Sequence, residues 1–109
     1  MKTTLVKAPS QLANRTCLQG YVTTTYAQLV KAFGEPHIRN DDRYEKVHAE
    51  WVLKPEGEDI PITIYDYRES VPPEHVTCWH IGGNSQLAVK LLRKAFPFAV
   101  IEGTGPGSI

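Results

Sequence analysis

Sulfur is scarce in this 109-residue chain, which has one methionine and only two cysteines, Cys17 and Cys78. A small disulfide-built scaffold uses a denser set, so the pair reads as free thiols. Long apolar runs are also missing. Nothing approaches the roughly 18 residues of a membrane span, and Leu5-Val6 is too short for the apolar centre of a signal peptide. The expectation is a cytoplasmic protein that does not engage a membrane. Net charge is absent too, twelve Lys and Arg balancing twelve Asp and Glu, which disfavours an indiscriminate nucleic-acid binder. What is there is ordinary globular composition, 41% apolar and 22% charged, well outside the range of disordered chains. One domain is expected over residues 1–102, with a flexible Gly-rich tail at 103–109.

The zero is a sum of unequal parts. Eleven of the twelve acids lie between Glu35 and Glu74, where only Arg39, Arg43, Lys46, Lys54 and Arg68 are basic, a net of −6. The first 34 residues carry four cations and no acid, and the last 35 carry Lys90, Arg93 and Lys94 against Glu102. Such segregation gives a domain oppositely charged regions, and the field around it then selects among partners.

Periodicity predicts the elements. Tyr21, Val22 and the threonines after them favour an extended segment. Thr25 with Gln28 forms a capping box for a helix over 25–33 whose stripe is Tyr26, Leu29, Val30 and Phe33, closed by Gly34 and Pro36. Alternation from Lys46 to Leu53 predicts a strand with Val47, Ala49, Trp51 and Leu53 on one face. A second strand over 60–67 sets Ile60, Ile62 and Ile64 against Thr63, Tyr65 and Tyr67. A third covers 76–81. A second helix, capped by Asn84 or Ser85, carries Leu87, Ala88, Leu91, Leu92 and Ala95 on one face before Pro97, and 98–101 forms a last strand. The expected fold is α+β, an antiparallel sheet of about four strands with both helices packed on one face, in the order β-α-β-β-β-α-β.

Chemistry-bearing patterns are few. Tyr65 and Tyr67 share a sheet face, and Trp79 from a neighbouring strand is expected to join them, with Glu50, Asp66, Asp41 and Asp42 as charged contacts. Tyr and Trp suit a protein-binding surface or a homodimer face because each combines a large rigid area with one polar atom. The turn Gly82-Gly83-Asn84-Ser85, leading into a helix, is a candidate anion nest for a small phosphorylated ligand or nucleotide. It matches neither a P-loop nor a dinucleotide fingerprint. Lys90, Arg93 and Lys94, together with some N-terminal Lys or Arg, form the best local basic patch, a weak site for single-stranded nucleic acid. His37, His48, His75 and His80 with the two cysteines show no metal-ligand spacing, so no metal or cofactor is expected. A Ser85 or Cys78 nucleophile with His80 and Asp66 lacks a nucleophile-elbow context, and no catalytic residue is assigned.

The pattern Tyr26-x-x-Leu29, Phe33-Gly34-x-Pro36, Glu50-Trp51, Ile64-Tyr65-Asp66-Tyr67 and Trp79-x-Ile81-Gly82-Gly83 resembles small bacteriophage accessory proteins over about residues 21–95. The resemblance implies a phage-encoded protein acting in the host cytoplasm on macromolecules, including inhibition or modulation of a host defence or nucleic-acid-processing protein. The leading expectation is thus a non-enzymatic interaction module for a protein with a basic surface. A phosphorylated-ligand binder and a weak single-stranded nucleic-acid binder are the alternatives.

Overall fold

The computed structural model describes residues 4–42 and 44–104. Strands β1 (Leu5–Lys7), β2 (Cys17–Thr23), β3 (Ile38–Arg39), β4 (Ala49–Pro55), β5 (Ile62–Tyr65), β6 (Cys78–Gly83) and β7 (Val100–Gly103) and helices α1 (Tyr26–Phe33) and α2 (Leu87–Ala95) make up the fold. The strands form one sheet of seven in the order β1-β4-β5-β6-β2-β7, with β3 also beside β4. Every pairing is antiparallel. The α+β class with two helices holds, but the sheet of about four strands is corrected to seven in a different order. The strands beyond the expected order are β1 and β3, three and two residues long, too short to show any period. They lie end to end along one edge of β4, β1 opposite residues 53–55 and β3 opposite 49–50. The last strand begins at Val100 and runs through Gly103, and Thr104 N donates to Gln19 O at 2.9 Å. Residues 103 and 104 therefore belong to the domain, while 105–109 of the expected tail lie outside the described residues.

Alternation along the strands gives the sheet two unlike faces. Ala49, Trp51 and Leu53 of β4, Ile62 and Ile64 of β5, Trp79 and Ile81 of β6, Val22 of β2 and Ile101 of β7 join Leu29 of α1 and Ala88, Val89 and Leu92 of α2 in one core. Both helices thus cover the same face. At its centre the Trp51 and Trp79 rings meet edge to face at 5.5 Å, with Tyr26 5.6 Å from Trp51. Burying an aliphatic side chain here contributes roughly 1.5–3 kcal/mol before entropy is charged against it.

The helices are placed by local chemistry. Thr25 Oγ1 accepts from Gln28 N at 3.2 Å and Gln28 Oε1 accepts from Thr25 N at 3.4 Å, which starts α1. Gly34, at φ +82°, ends it in a backbone region that other residues rarely adopt, and its carbonyl accepts from Trp51 Nε1 at 2.8 Å. Helix α2 starts two residues later than Ser85; Ser85 Oγ accepts from Leu87 N at 3.2 Å. Its buried stripe is Ala88, Val89 and Leu92, whereas Leu87 is exposed. Gly83 sets how closely α2 approaches β6, because a Cβ there would lie 2.5 Å from the Ala88 methyl.

Candidate interaction face

The outer face carries a continuous cross-strand row. Register pairs Ile38 with Glu50, Glu50 with Tyr65, Tyr65 with His80, His80 with Tyr21, and Tyr21 with Glu102. The row therefore reads β3, β4, β5, β6, β2, β7. Its centre is aromatic. The Tyr65 ring stacks on the His80 ring at 5.3 Å, while Tyr21 and Tyr67 meet it edge-on at 5.1 and 5.7 Å. The Arg68 guanidinium lies 5.4 Å from the Tyr67 ring centre. Tyr21, Tyr65, His80 and Glu50 are half-buried and Tyr67 is exposed.

Burial without partners shapes the electrostatics. Desolvation lowers the His80 pKa, against the opposing pull of Glu69 and Asp66, and its Nδ1 is a buried atom with no hydrogen-bond partner among the described residues. Burial thus favours the neutral ring. Desolvation raises the Glu50 carboxyl, and desolvation together with Glu50 and the neighbouring phenols raises Tyr65. Among the described residues Glu50 makes no ion pair. Cys78, two residues from His80 on the same face, is raised by desolvation and by Glu69 and Glu102.

The residues singled out in the sequence separate on this framework. Tyr65, Tyr67 and Glu50 lie together on the outer face. Trp79 lies on the inner face, fully buried, and is no surface contact. Asp66 is also fully buried; its Oδ1 accepts from His48 N at 2.8 Å and Ala49 N at 2.9 Å, and Oδ2 lies 3.3 Å from His48 Nδ1. Its role is to hold the start of β4. Asp41 and Asp42 are exposed in the β3–β4 connection. Asp41 pairs with Arg39 at 2.9 Å, and Asp42 Oδ1 accepts from Tyr44 N at 3.0 Å.

Gly82 and Gly83 are strand residues, paired with Leu18 and Cys17 of β2 and with Thr63 and Ile62 of β5. Neither has positive φ, so both belong to the ladder rather than to a nest of free amides. A Cβ on Gly82 would collide with Thr63 Oγ1. Asn84 and Ser85 are exposed beyond them. Lys90, Arg93 and Lys94 are exposed on α2, on the layer opposite the aromatic row, and Arg93 Nε and Nη2 donate to Ile101 O at 3.2 and 2.9 Å.

Sequence reasoning missed Tyr21 and His80 as members of this face, and Glu102 as its far boundary. The signal was parity: Cys78 and His80 must point away from Trp79 and Ile81, and Tyr21 away from Val22.

Among the described residues both cysteines are free and exposed, no group of His, Cys, Asp and Glu is placed to hold a metal, and no helix is long and apolar enough to cross a membrane. A separate cleft of about 740 Å³ lies between β1, α1 and the end of α2, lined by Leu5, Lys31, Phe33, Phe96 and Phe98. Comparison of the chain with protein-family models, with curated proteins and with solved structures finds no match.

Proposed function

We propose that this protein is a non-enzymatic interaction module that contacts a protein partner through the outer face of its sheet. The observation that carries the reading is the aromatic group of Tyr21, Tyr65 and Tyr67 around His80, bounded on one side by Glu50 and on the other by Glu102. Aromatic side chains on rigid strands supply contact area at low entropic cost, and each phenol adds one polar atom that can bond a partner. The flanking carboxylates set the sign of the partner, favouring a basic protein surface and opposing phosphate. They also weigh against two copies of this chain meeting face to face, since that packing brings the same carboxylates into one interface.

The test is affinity capture from a native-host lysate with the intact chain, a Tyr21→Ala/Tyr65→Ala variant and a Lys90→Ala/Lys94→Ala variant. The reading expects a saturable partner retained by the lysine variant and lost by the tyrosine variant. Equal capture by all three overturns it.

A further inference from the structure

We propose that the outer face receives an extended, arginine-bearing segment of the partner, one guanidinium seated on the Glu50 carboxylate against the Tyr65 ring and a second cation reaching Glu102. This deepens the interaction-module reading and rests on it.

The molecule already contains the filled version of this arrangement. The Arg39 guanidinium lies 5.3 Å from the centre of the Tyr26 ring and donates from Nη1 and Nη2 to the two Glu74 oxygens at 2.7 and 3.0 Å. Hydrogen bonding to Arg39 holds the Glu74 carboxyl below its usual range. Glu50 beside Tyr65 supplies the same two components, a carboxylate and a tyrosine ring on adjacent strands. There the guanidinium is missing, and no other described cation pairs with the carboxylate. The consequence appears in the charge state, where desolvation raises the Glu50 carboxyl instead of a cation lowering it. Ile38 and Tyr65 are the cross-strand neighbours of Glu50, and the partial desolvation of the carboxylate strengthens any charge pair formed there.

Arginine fits better than lysine. Its planar fork engages a carboxylate through two hydrogen bonds while its face stacks on an aromatic ring, whereas an ammonium is a strongly hydrated point charge. Desolvation disfavours the charged form of His80 at the centre, and the face's own guanidinium, Arg68, lies over Tyr67 rather than on the Glu50 carboxylate.

The sheet also fixes spacing. Glu50 on β4 and Glu102 on β7 are separated by β5, β6 and β2, four strand intervals or roughly 19 Å. An extended chain rises about 3.3 Å per residue, so a segment crossing the strands presents its two cations about six residues apart.

The experiment titrates the full chain with nona-arginine and nona-lysine peptides by calorimetry at fixed ionic strength. Each titration is repeated with Glu50→Gln and with Glu56→Gln, which neutralises an exposed acid in the β4–β5 turn. The proposal expects tighter binding of nona-arginine than nona-lysine and a loss of about ten-fold or more in Glu50→Gln, the scale of one charge-assisted hydrogen bond. Glu56→Gln should change affinity by less than about two-fold, as for an exposed charge. No preference for arginine, no binding, or equal losses in the two variants overturns it. Thermal melting of Glu50→Gln separates lost binding from lost fold. If partner capture depends on Tyr21 and Tyr65 but nona-arginine binding ignores Glu50, the module stands and the arginine assignment falls. If capture ignores the tyrosines as well, both fall.

Discussion

The imidazole of His37 accepts the Val52 amide proton at Nδ1, 3.3 Å away, and donates from Nε2 to the Ala8 carbonyl at 2.7 Å. It fills the gap between β1, which ends at Lys7, and β3, which begins at Ile38. A side chain thereby completes a ladder that backbone alone leaves open, and the two bonds fix the Nε2–H tautomer. Val52 is fully buried, so His37→Ala takes the hydrogen-bond partner from a buried residue's amide. The expected cost is about 1–3 kcal/mol, read by denaturant unfolding, with faster hydrogen exchange at Val52 N as the local signature. An effect no larger than that of an exposed control such as Glu58→Ala removes this account of the edge.

Asp66 supports a sharper prediction. One carboxylate oxygen serves the amides of His48 and Ala49, and the other faces the His48 ring. Asp66→Ala orphans two buried amide donors together, and should cost about 2–5 kcal/mol, as two buried donors left unsatisfied. Asp66→Asn keeps one acceptor oxygen for the amides and should cost markedly less. Chemical denaturation of both variants checks the order; equal losses would mean that volume, not hydrogen bonding, explains the site.

Asp66 also shows what the sequence made legible. The alternation of Ile62 and Ile64 against Tyr65 and Tyr67 puts Asp66 on the core side by parity alone. An acid at such a position has to be satisfied by backbone or a cation. Treating it as a surface contact overlooked that constraint. Helix α1 was readable down to its capping box because Thr25 and Gln28 act within one turn. Trp79 was misplaced for the opposite reason: composition favours a tryptophan at an interface, while only its parity with Ile81 assigns it to the core. Strands β1 and β3 left no local signal, since their pairing with β4 depends on tertiary placement and on the ring of His37. The joining of Tyr21 to Tyr65 and His80 required the pairing of β6 with β2, strands distant in sequence, which has no local trace.

The two glycines of β6 give a packing test that also bears on phosphate binding. A Cβ at Gly83 would approach Ala88 Cβ to 2.5 Å and Pro61 O to 3.2 Å, and one at Gly82 would overlap Thr63 Oγ1. Gly83→Ala is expected to cost about 1–3 kcal/mol as an overpacked core site, and Ala88→Gly in the same chain should return part of it. Gly82→Ala should behave likewise, relieved by Thr63→Ala. Thermal melts of the single and double variants measure the recovery, and strict additivity would reject the stated contacts. Because both glycines lie in the strand ladder, calorimetry with nucleotides should show no saturable heat; a nucleotide bound by the intact chain and lost on Ser85→Ala would restore the anion site.

Glu50 connects stability to binding through pH. Burial holds its folded pKa above the ordinary 4.5, so the fold favours the protonated acid. The sign follows from linkage: its contribution is most favourable below pH 4.5, declines as pH rises through the raised folded value, and above that is a constant cost. Glu50→Gln removes this cost and should stabilise the protein at neutral pH by about 0.5–1 kcal/mol, the scale of surface-charge optimisation, while weakening the arginine peptide. His80 acts in the same direction for binding. Its pKa is lowered by desolvation, with Glu69 and Asp66 opposing the shift and Tyr21, Tyr65 and Tyr67 around the ring. The face therefore becomes less negative on acidification as Glu50 and His80 take up their protons. Affinity for nona-arginine should be level near neutral pH and fall on acidification, beginning above the ordinary glutamate range. Glu50→Gln should remove the part of that fall due to Glu50 and leave the part due to His80. Parallel profiles for the intact chain and Glu50→Gln, measured by calorimetry across this range, would show that the Glu50 carboxylate does not receive the cation.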